Sequence, residues 1–402
     1  MAQTDRVLIV GAGPVGLVSA AFLLDQGIPV TVLEADPEIK EDLRAGSFHP
    51  PSLEAMESVG LTRRLLEMGI EVPLWQFRDL HEGVIAEFDL GLLKNDTPYP
   101  FRLHCEQFKL SRAAYELLKD NPDFEIHFGT AAVAVTQDAD KVCVTARTTD
   151  GERRFTAPWM IGADGGRSTV RKALNFGFSG FTWPELFVVV STYYDFGRHG
   201  ITPNAYIADP DDWCAIFKMP HNRPEGLWRF AYGSDPDLPD SEVLSDEAVE
   251  TRMQRFVQRP ERYEIAYRST YRVHQRVTDT FRKGRVLLAG DAAHINNPIG
   301  ALGLNSGLQD AANLCEKLGR VIRGEADASL LDRYDRQRRT IANDIVQAMS
   351  IRNKERLHER DPEVRKRNRD EMRRIGEDPK RAYEFLLNTS MIASVRKAAT
   401  IQ

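Results

Sequence analysis

A chain of 402 residues exceeds what one ordinary hydrophobic core organises, so two domains are expected. Apolar residues make up 42% and charged residues 28%, as in soluble globular proteins, and the net charge of −6 argues against a nucleic-acid surface. The four cysteines, Cys105, Cys143, Cys214 and Cys315, form no CxxC pair, and the histidines form no HExxH, so neither a metal site nor a disulfide framework is expected.

Arg6–Val10 reads as a short buried strand, Pro14–Gln26 as a helix stopped by Gly27, and Pro29–Glu34 as a second strand, which together make a βαβ unit. The uncharged run Val7–Leu24 superficially resembles a membrane span, but its three glycines and a proline fit strand, turn and helix better. No membrane attachment and a cytoplasmic location are therefore expected. Ser52–Gly60 and Gln107–Lys119 carry helical spacing. Phe124–Phe128, Ala131–Thr136, Val142–Thr145 and Pro158–Ala163 read as strands.

From about Phe176 to Arg272 the composition shifts to aromatic and β-branched residues broken by Asp-Pro and Gly turns. Strands are predicted at Leu186–Tyr194, Tyr206–Ala208, Trp213–Phe217 and Leu227–Tyr232, which implies a mixed or antiparallel sheet apart from the parallel one. Arg285–Ala289 returns to the parallel-strand pattern, followed by a glycine loop and a helix from about Leu304 to Arg323. The charged stretch Arg352–Arg381 interleaves both signs and reads as a solvated helix.

Gly11-Ala12-Gly13-Pro14-Val15-Gly16 lies between the first strand and the first helix. Gly11 permits the tight turn, Gly13 lets the backbone approach a pyrophosphate, and Gly16 lets helix pack on strand. The helix N-terminus offers unpaired N–H groups to phosphate. Glu34 ends the next strand, where a carboxylate can accept ribose hydroxyls, so FAD or NAD fits this position better than NADP. The fold expected from these elements is α/β: a Rossmann-like dinucleotide-binding domain with a parallel sheet, a mixed or antiparallel sheet set apart from it, and C-terminal helices.

Two further clusters follow apolar strands: Gly162-Ala163-Asp164-Gly165-Gly166-Arg167-Ser168, and Gly290-Asp291-Ala292-Ala293-His294 leading into Pro298-Ile299-Gly300-Ala301-Leu302-Gly303-Leu304-Asn305. With GxGxxG these resemble, in order, the three fingerprints of the class A flavoprotein monooxygenases, over roughly residues 5–345. The resemblance implies an FAD domain of 1–72, 105–173 and 284–345, a substrate domain of 73–104 and 174–283, and a helical segment of 346–402. It implies that Asp291 binds the ribityl chain and that Asp164 lies near the pyrophosphate and the nicotinamide path. It further implies that Arg44 and Gln107 hold FAD, that Pro298 lies against the isoalloxazine, and that Gly303, Leu304 and Asn305 present backbone N–H groups to the flavin pyrimidine. NADH or NADPH would bind transiently near Arg44 and Arg167, since no second Rossmann fingerprint is visible. Dioxygen would then add to the reduced flavin, giving a C(4a)-hydroperoxide that hydroxylates a phenolate.

The Gly300–Asn305 loop is similar to that of the para-hydroxybenzoate hydroxylases. However, Trp213–Met219 offers Phe217 and Met219 where that family carries a Ser and an Arg for a carboxylate, which disfavours a benzoate. Other stretches, among them Phe181-Thr182-Trp183, Leu227-Trp228-Arg229 and Tyr271–Arg276, resemble the para-nitrophenol monooxygenases and point to a simple phenol. Phe217 and the alternating Trp228, Phe230 and Tyr232 are candidates for the pocket wall, the last three serving equally as plain core. His49 and Tyr232 are candidates to deprotonate or orient the phenol. Rival readings are a flavin-dependent halogenase or flavin reductase, an NAD-dependent dehydrogenase, which would leave the two later motifs idle, and a non-enzymatic FAD-binding protein. A monomer or homodimer is expected.

Overall fold

The computed structural model describes residues 6–41, 43 and 46–402. Its first layer is a six-stranded sheet in the order Arg282–Lys283, Val286–Leu288, Trp159–Gly162, Val7–Val10, Val30–Leu33 and Phe124–His127. The last five run parallel, and only the short edge strand is antiparallel. Val7–Val10, Val30–Leu33 and Trp159–Gly162 are buried along their whole length, as expected of strands covered on both faces. The helix Pro14–Asp25 packs against helices Gln107–Leu118 and Leu302–Ile322. Proline at its first turn and Gly27 at φ 72° mark its two ends. A three-stranded antiparallel sheet, Ala131–Gln137, Val142–Thr148 and Gly151–Ala157, adds Val142, Val144 and Phe155 to the same core.

The second layer is an eight-stranded sheet ordered His294–Ile295, Ile265–Thr278, Phe178–Thr192, Leu227–Ser234, Cys214–Met219, Asn204–Ala208, Leu74–Asp79 and Gly83–Asp89. It is antiparallel except where Asn204–Ala208 runs parallel to Leu74–Asp79. One face packs Trp75, Phe77, Phe187 and Tyr206 against Ile299 and the C-terminal helices. The other packs Val188, Ile216, Trp228 and Phe230 against the helix Asp246–Phe256.

Two long strands differ from the sequence reading. Phe178–Thr192 begins eight residues before the predicted Leu186, and Ile265–Thr278 was not predicted at all. Pro184 sits at a register break between Thr182 and Leu186, which hides the continuity of the first strand. The second carries Arg268, Arg272, His274 and Arg276, so its apolar alternation is diluted.

The chain ends in helices Ala348–His358, Pro362–Glu377, Pro379–Thr389 and Ile392–Thr400. The Asp361 and Asp378 carboxylates each accept two backbone N–H groups, and a proline follows each acid, which fixes where two of these helices start. Leu357, Met372, Ala382, Leu386 and Ile392 face the second layer and close its core. Among the described residues no helix is long and apolar enough to cross a membrane.

Candidate active site

The three glycine-rich motifs meet at the carboxyl ends of the parallel strands. Gly11 has φ 106°, and a Cβ there would lie 2.4 Å from the Ala163 carbonyl oxygen of the second motif. A Cβ on Gly16 would lie 2.0 Å from the Gly11 carbonyl oxygen, whereas one on Gly13 would meet nothing within 4 Å. The glycines thus divide the work: Gly11 and Gly16 permit backbone contact, and Gly13 leaves open the space before the helix N-terminus. Glu34 ties the loop to the second strand, accepting from Ala12 N at 2.6 Å and from Asp36 N at 2.9 Å.

The Asp164 carboxylate turns toward its own chain. It accepts from the Ser168 hydroxyl at 2.5 Å, Thr169 N at 2.6 Å and Val170 N at 3.1 Å, starting the short helix Thr169–Ala173. Burial raises its pKa despite these bonds. The sequence reading placed Asp164 near a cofactor path; its hydrogen bonds go to the turn and helix that follow it. Arg167 stands exposed on that turn, close enough for its charge to act on His274. Arg171, which follows the second motif, is buried and donates to the Ala292 and Gly166 carbonyls, which joins the second motif to the third.

The third motif rests on a buried ionic network. Asp310, fully buried on the helix Leu302–Ile322, accepts from Gly290 N at 3.0 Å, contacts His294 Nε2 at 2.7 Å, and accepts from Arg338 Nε at 2.6 Å. Burial pushes the Asp310 carboxyl up, but His294 and Arg338 overcome it and hold it at about 2. The Arg338 guanidinium also donates to Ser306. This anchorage holds Gly290 against Val15 and leaves Asp291 exposed at the front of the cradle.

Asn305 joins the flavin-loop helix to the segment before it. Its side chain accepts from His49 N at 2.7 Å and donates to the Ser47 and Ala301 carbonyls. Ala301, with φ 58°, caps the helix, so the N–H groups of Leu302, Gly303 and Leu304 have no acceptor within it. Asn305 lies one residue beyond this open turn. Gln107 is half-buried at the start of its helix, and Pro298 is half-buried just ahead of the loop. Arg44 lies outside the described residues.

His49 is fully buried, and its Nε2 faces the Gly300 carbonyl oxygen at 3.0 Å. A carbonyl can only accept, so Nε2 carries the proton and Nδ1 is the bare acceptor, buried and without a partner among the described residues. Burial, reinforced by the Arg102 charge, holds its pKa well below the usual histidine value.

The candidate pocket residues separate by face. Phe217 lies on the inner face with Tyr206 and His104, at ring-centre distances of 6.0 and 5.8 Å. Trp228, Phe230 and Tyr232 lie on the outer face, in the core under the helix Asp246–Phe256. The Arg252 guanidinium sits 4.8 Å from the Tyr232 ring, and burial pushes the Tyr232 hydroxyl up to about 12. Alternation on one strand was correctly read, and it is the core that this face builds. Arg229 and Ala231 alternate with them on the inner face, and the Arg229 guanidinium lies close to Gly46.

A cavity opens between the inner face, the loop at Ile299–Leu302 and the C-terminal helices. Trp75, Phe77 and Phe385 form apolar walls, and Arg102, Tyr206 and Arg356 supply polar groups. Arg102 and His104 project from one short strand, Arg102–His104, which the sequence reading passed over. An arginine and a histidine two apart in an apolar run was the available signal.

Residues 4–349 match the FAD binding domain family. Para-nitrophenol 4-monooxygenase from Pseudomonas sp. (strain WBC-3) is 35% identical over 391 residues, covering 96% of each chain. The chain belongs to the FAD-dependent aromatic monooxygenases. The 6-hydroxy-3-succinoylpyridine 3-monooxygenase of Pseudomonas putida (strain DSM 28022 / S16) is 33% identical, covering 90% of this monooxygenase and 91% of that one. The crystal structure of p-nitrophenol 4-monooxygenase from Pseudomonas putida DLL-E4 superimposes with a TM-score of 0.91 at 35% identity, over 96% of this chain and 97% of that one. The cradle fits the cofactor of the family: open space before a helix N-terminus, an acid closing the second strand, and an unsatisfied helix turn beside an apolar cavity.

Proposed function

We propose that this monooxygenase hydroxylates a small phenol, with dioxygen as oxidant and NADH or NADPH as electron donor. The observation that carries the reading is the cavity itself. One of its walls, Ile299–Leu302, is continuous with the flavin-loop helix, so a flat ring seated there would lie beside the cofactor cradle.

Gly13 and the first turn of Pro14–Asp25 would take the pyrophosphate, Glu34 a ribose, and Asp291 the ribityl chain. The open N–H groups at Leu302–Leu304 and the positive end of that helix would face the pyrimidine edge of the ring and favour its anionic reduced form. Arg44, Gln107 and Asp164 complete the proposed FAD contacts, and Arg44 with the exposed Arg167 the nicotinamide contacts. FAD, when bound, supplies the redox chemistry: it takes two electrons from NAD(P)H and activates dioxygen, so that one oxygen atom enters the ring and the other leaves as water.

The chain's own part is to position the phenol, hold its proton and keep water away. His49 Nδ1 is the candidate acceptor for the phenolic proton: it is neutral and buried, and the other nitrogen of the same ring holds the Gly300 carbonyl of the cavity wall. Tyr232 is separated from that wall by the thickness of the sheet. Pro298 and the apolar walls would exclude water from the ring. The test is NAD(P)H oxidation by the FAD-loaded protein over a panel of simple phenols, with hydrogen peroxide and product both quantified. Substrate-stimulated oxidation with a hydroxylated product is expected. Oxidation that no phenol stimulates, or that yields only peroxide, would overturn the reading.

A further inference from the structure

Two stretches set apart in the sequence, Phe181–Trp183 and Tyr271–Arg276, lie on neighbouring strands of the second layer and meet at one side chain. Gln275 is 2% exposed, and both ends of its amide are in use. Its Oε1 accepts from Trp183 Nε1 at 3.2 Å, Asn297 N at 3.0 Å and Asn297 Nδ2 at 3.3 Å. Its Nε2 donates to the Ser350 hydroxyl at 2.7 Å and to the Gln347 carbonyl at 3.5 Å. One amide thus joins two strands, the segment ahead of the flavin-loop helix, and the start of the helix Ala348–His358.

The segment it holds is the one that faces both cofactor and cavity. Asn297, fully buried, sets the backbone that follows: its Oδ1 accepts from Ile299 N at 3.1 Å, reaching past Pro298, which has no N–H to offer. The Gln347 side chain ties the near end, donating to the Ile295 carbonyl at 3.0 Å. Beyond Asn297 stand Pro298, proposed above to lie beside the ring, and then Ile299, Gly300 and Leu302 of the cavity wall. The helix that carries Ser350 also brings Asn353 and Arg356 to the cavity. Ala342–Gln347, just before that helix, is a π-helix, a widened turn found often at functional sites. Gln275 lies outside the cavity, at the joint between its cofactor-facing loop and its ligand-facing helix. A buried polar network whose members all find partners selects a single arrangement of the elements that it joins.

We infer that Gln275 is a positioning residue for the flavin. Through Asn297 it fixes the loop beside the ring, and through Ser350 it makes that loop respond to what occupies the cavity. The inference rests on the cofactor and cavity reading above and on no particular substrate.

The absorbance of bound FAD reads this without NAD(P)H and without turnover. Gln275→Met keeps the length of the side chain and removes its hydrogen bonds. It should weaken FAD binding about fivefold or more and shift the visible flavin bands. Gln275→Glu retains an oxygen for Asn297 and Trp183, and the Ser350 hydroxyl can turn to donate to it, so the bands should return to their place. Ser350→Ala cuts only the helix side. Its ligand-free bands should stay in place, while the absorbance change at saturating 4-methylphenol falls about threefold or more. Its Kd for 4-methylphenol, from equilibrium dialysis, should stay within about twofold of the unaltered protein. This variant carries the test if Gln275→Met does not fold. A Gln275→Met protein with a lower urea midpoint but normal FAD affinity and unshifted bands would overturn the inference, because a purely structural role predicts that result. An undiminished ligand response in Ser350→Ala would overturn it too. Failure of 4-methylphenol to bind the unaltered protein would count against the phenol reading instead, and the ligand-free bands of Gln275→Met would still decide the role of Gln275.

Discussion

At the residue scale the glycines of the first motif are separable. Gly16→Ala forces a Cβ against the Gly11 carbonyl and should destabilise the folded protein by roughly 1–3 kcal/mol. Gly13 has φ −68° and open space around it, so Gly13→Ala should leave the urea midpoint of the FAD-free protein unchanged and weaken FAD binding about tenfold or more. Unfolding curves and FAD titrations of both variants check this; a Gly13→Ala variant that binds FAD normally would refute the assigned role. Histidines supply a second residue-scale prediction. His49 and His104 are buried and neutral, and burial, above all other influences, lowers both, His104 to about 4. Their folded values lie below the unfolded value of 6.5, so the unfolded chain takes up protons first as pH falls. Stability should therefore be intact above pH 6.5 and decline below it, by about 1.4 kcal/mol per pH unit for each group, down to about pH 4 for His104. Urea unfolding at pH 7, 6 and 5 should show the slope, and His104→Gln should remove its share; an unchanged slope in that variant counts against it. Neither effect was legible in sequence, because a histidine acquires its environment only from what folds over it.

At the element scale, what could be read from sequence was local. GxGxxG, the acid at Glu34 and the buried strands declare themselves within a few residues, since a tight turn and a four-residue parallel strand each need particular side chains in order. The partners of those turns were hidden. Asp310 and Arg338 lie on successive helices, and nothing in their spacing says that Asp310 reaches back to Gly290 and Arg338 to Asp310. Arg338→Met should leave the Asp310 carboxylate buried with His294 alone and cost roughly 3–5 kcal/mol at pH 7, measured by urea unfolding. A loss below 1 kcal/mol would show that the network does not carry the Gly290 turn. The same limit explains Trp228, Phe230 and Tyr232. Period-two spacing shows that three aromatics share a face, but which face looks toward the cofactor is decided by which one the helix Asp246–Phe256 covers.

At the scale of the whole molecule, the C-terminal helices are part of the site's enclosure. Sequence marked them as charged and solvated, which describes their outer surface. Their inner positions, Leu357, Met372 and Leu386, are widely spaced and buried against the second layer. Leu386 is fully buried, and Leu386→Ala should cost roughly 2–5 kcal/mol in urea unfolding; a loss under 1 kcal/mol would mean that this helix is only loosely docked. The interleaving of the sheets bears also on biosynthesis. Val7–Val10 and Pro14–Asp25 leave the ribosome early relative to the strand Val286–Leu288 and the helix Leu302–Ile322, which complete their sheet and cover and follow about three hundred residues later. At elongation speeds of roughly 5–20 residues per second, that apolar half-cradle waits for tens of seconds without its cover. The nascent chain thus offers a long-lived sticky target to holding chaperones, and a slowed ribosome would lengthen its exposure to wrong partners.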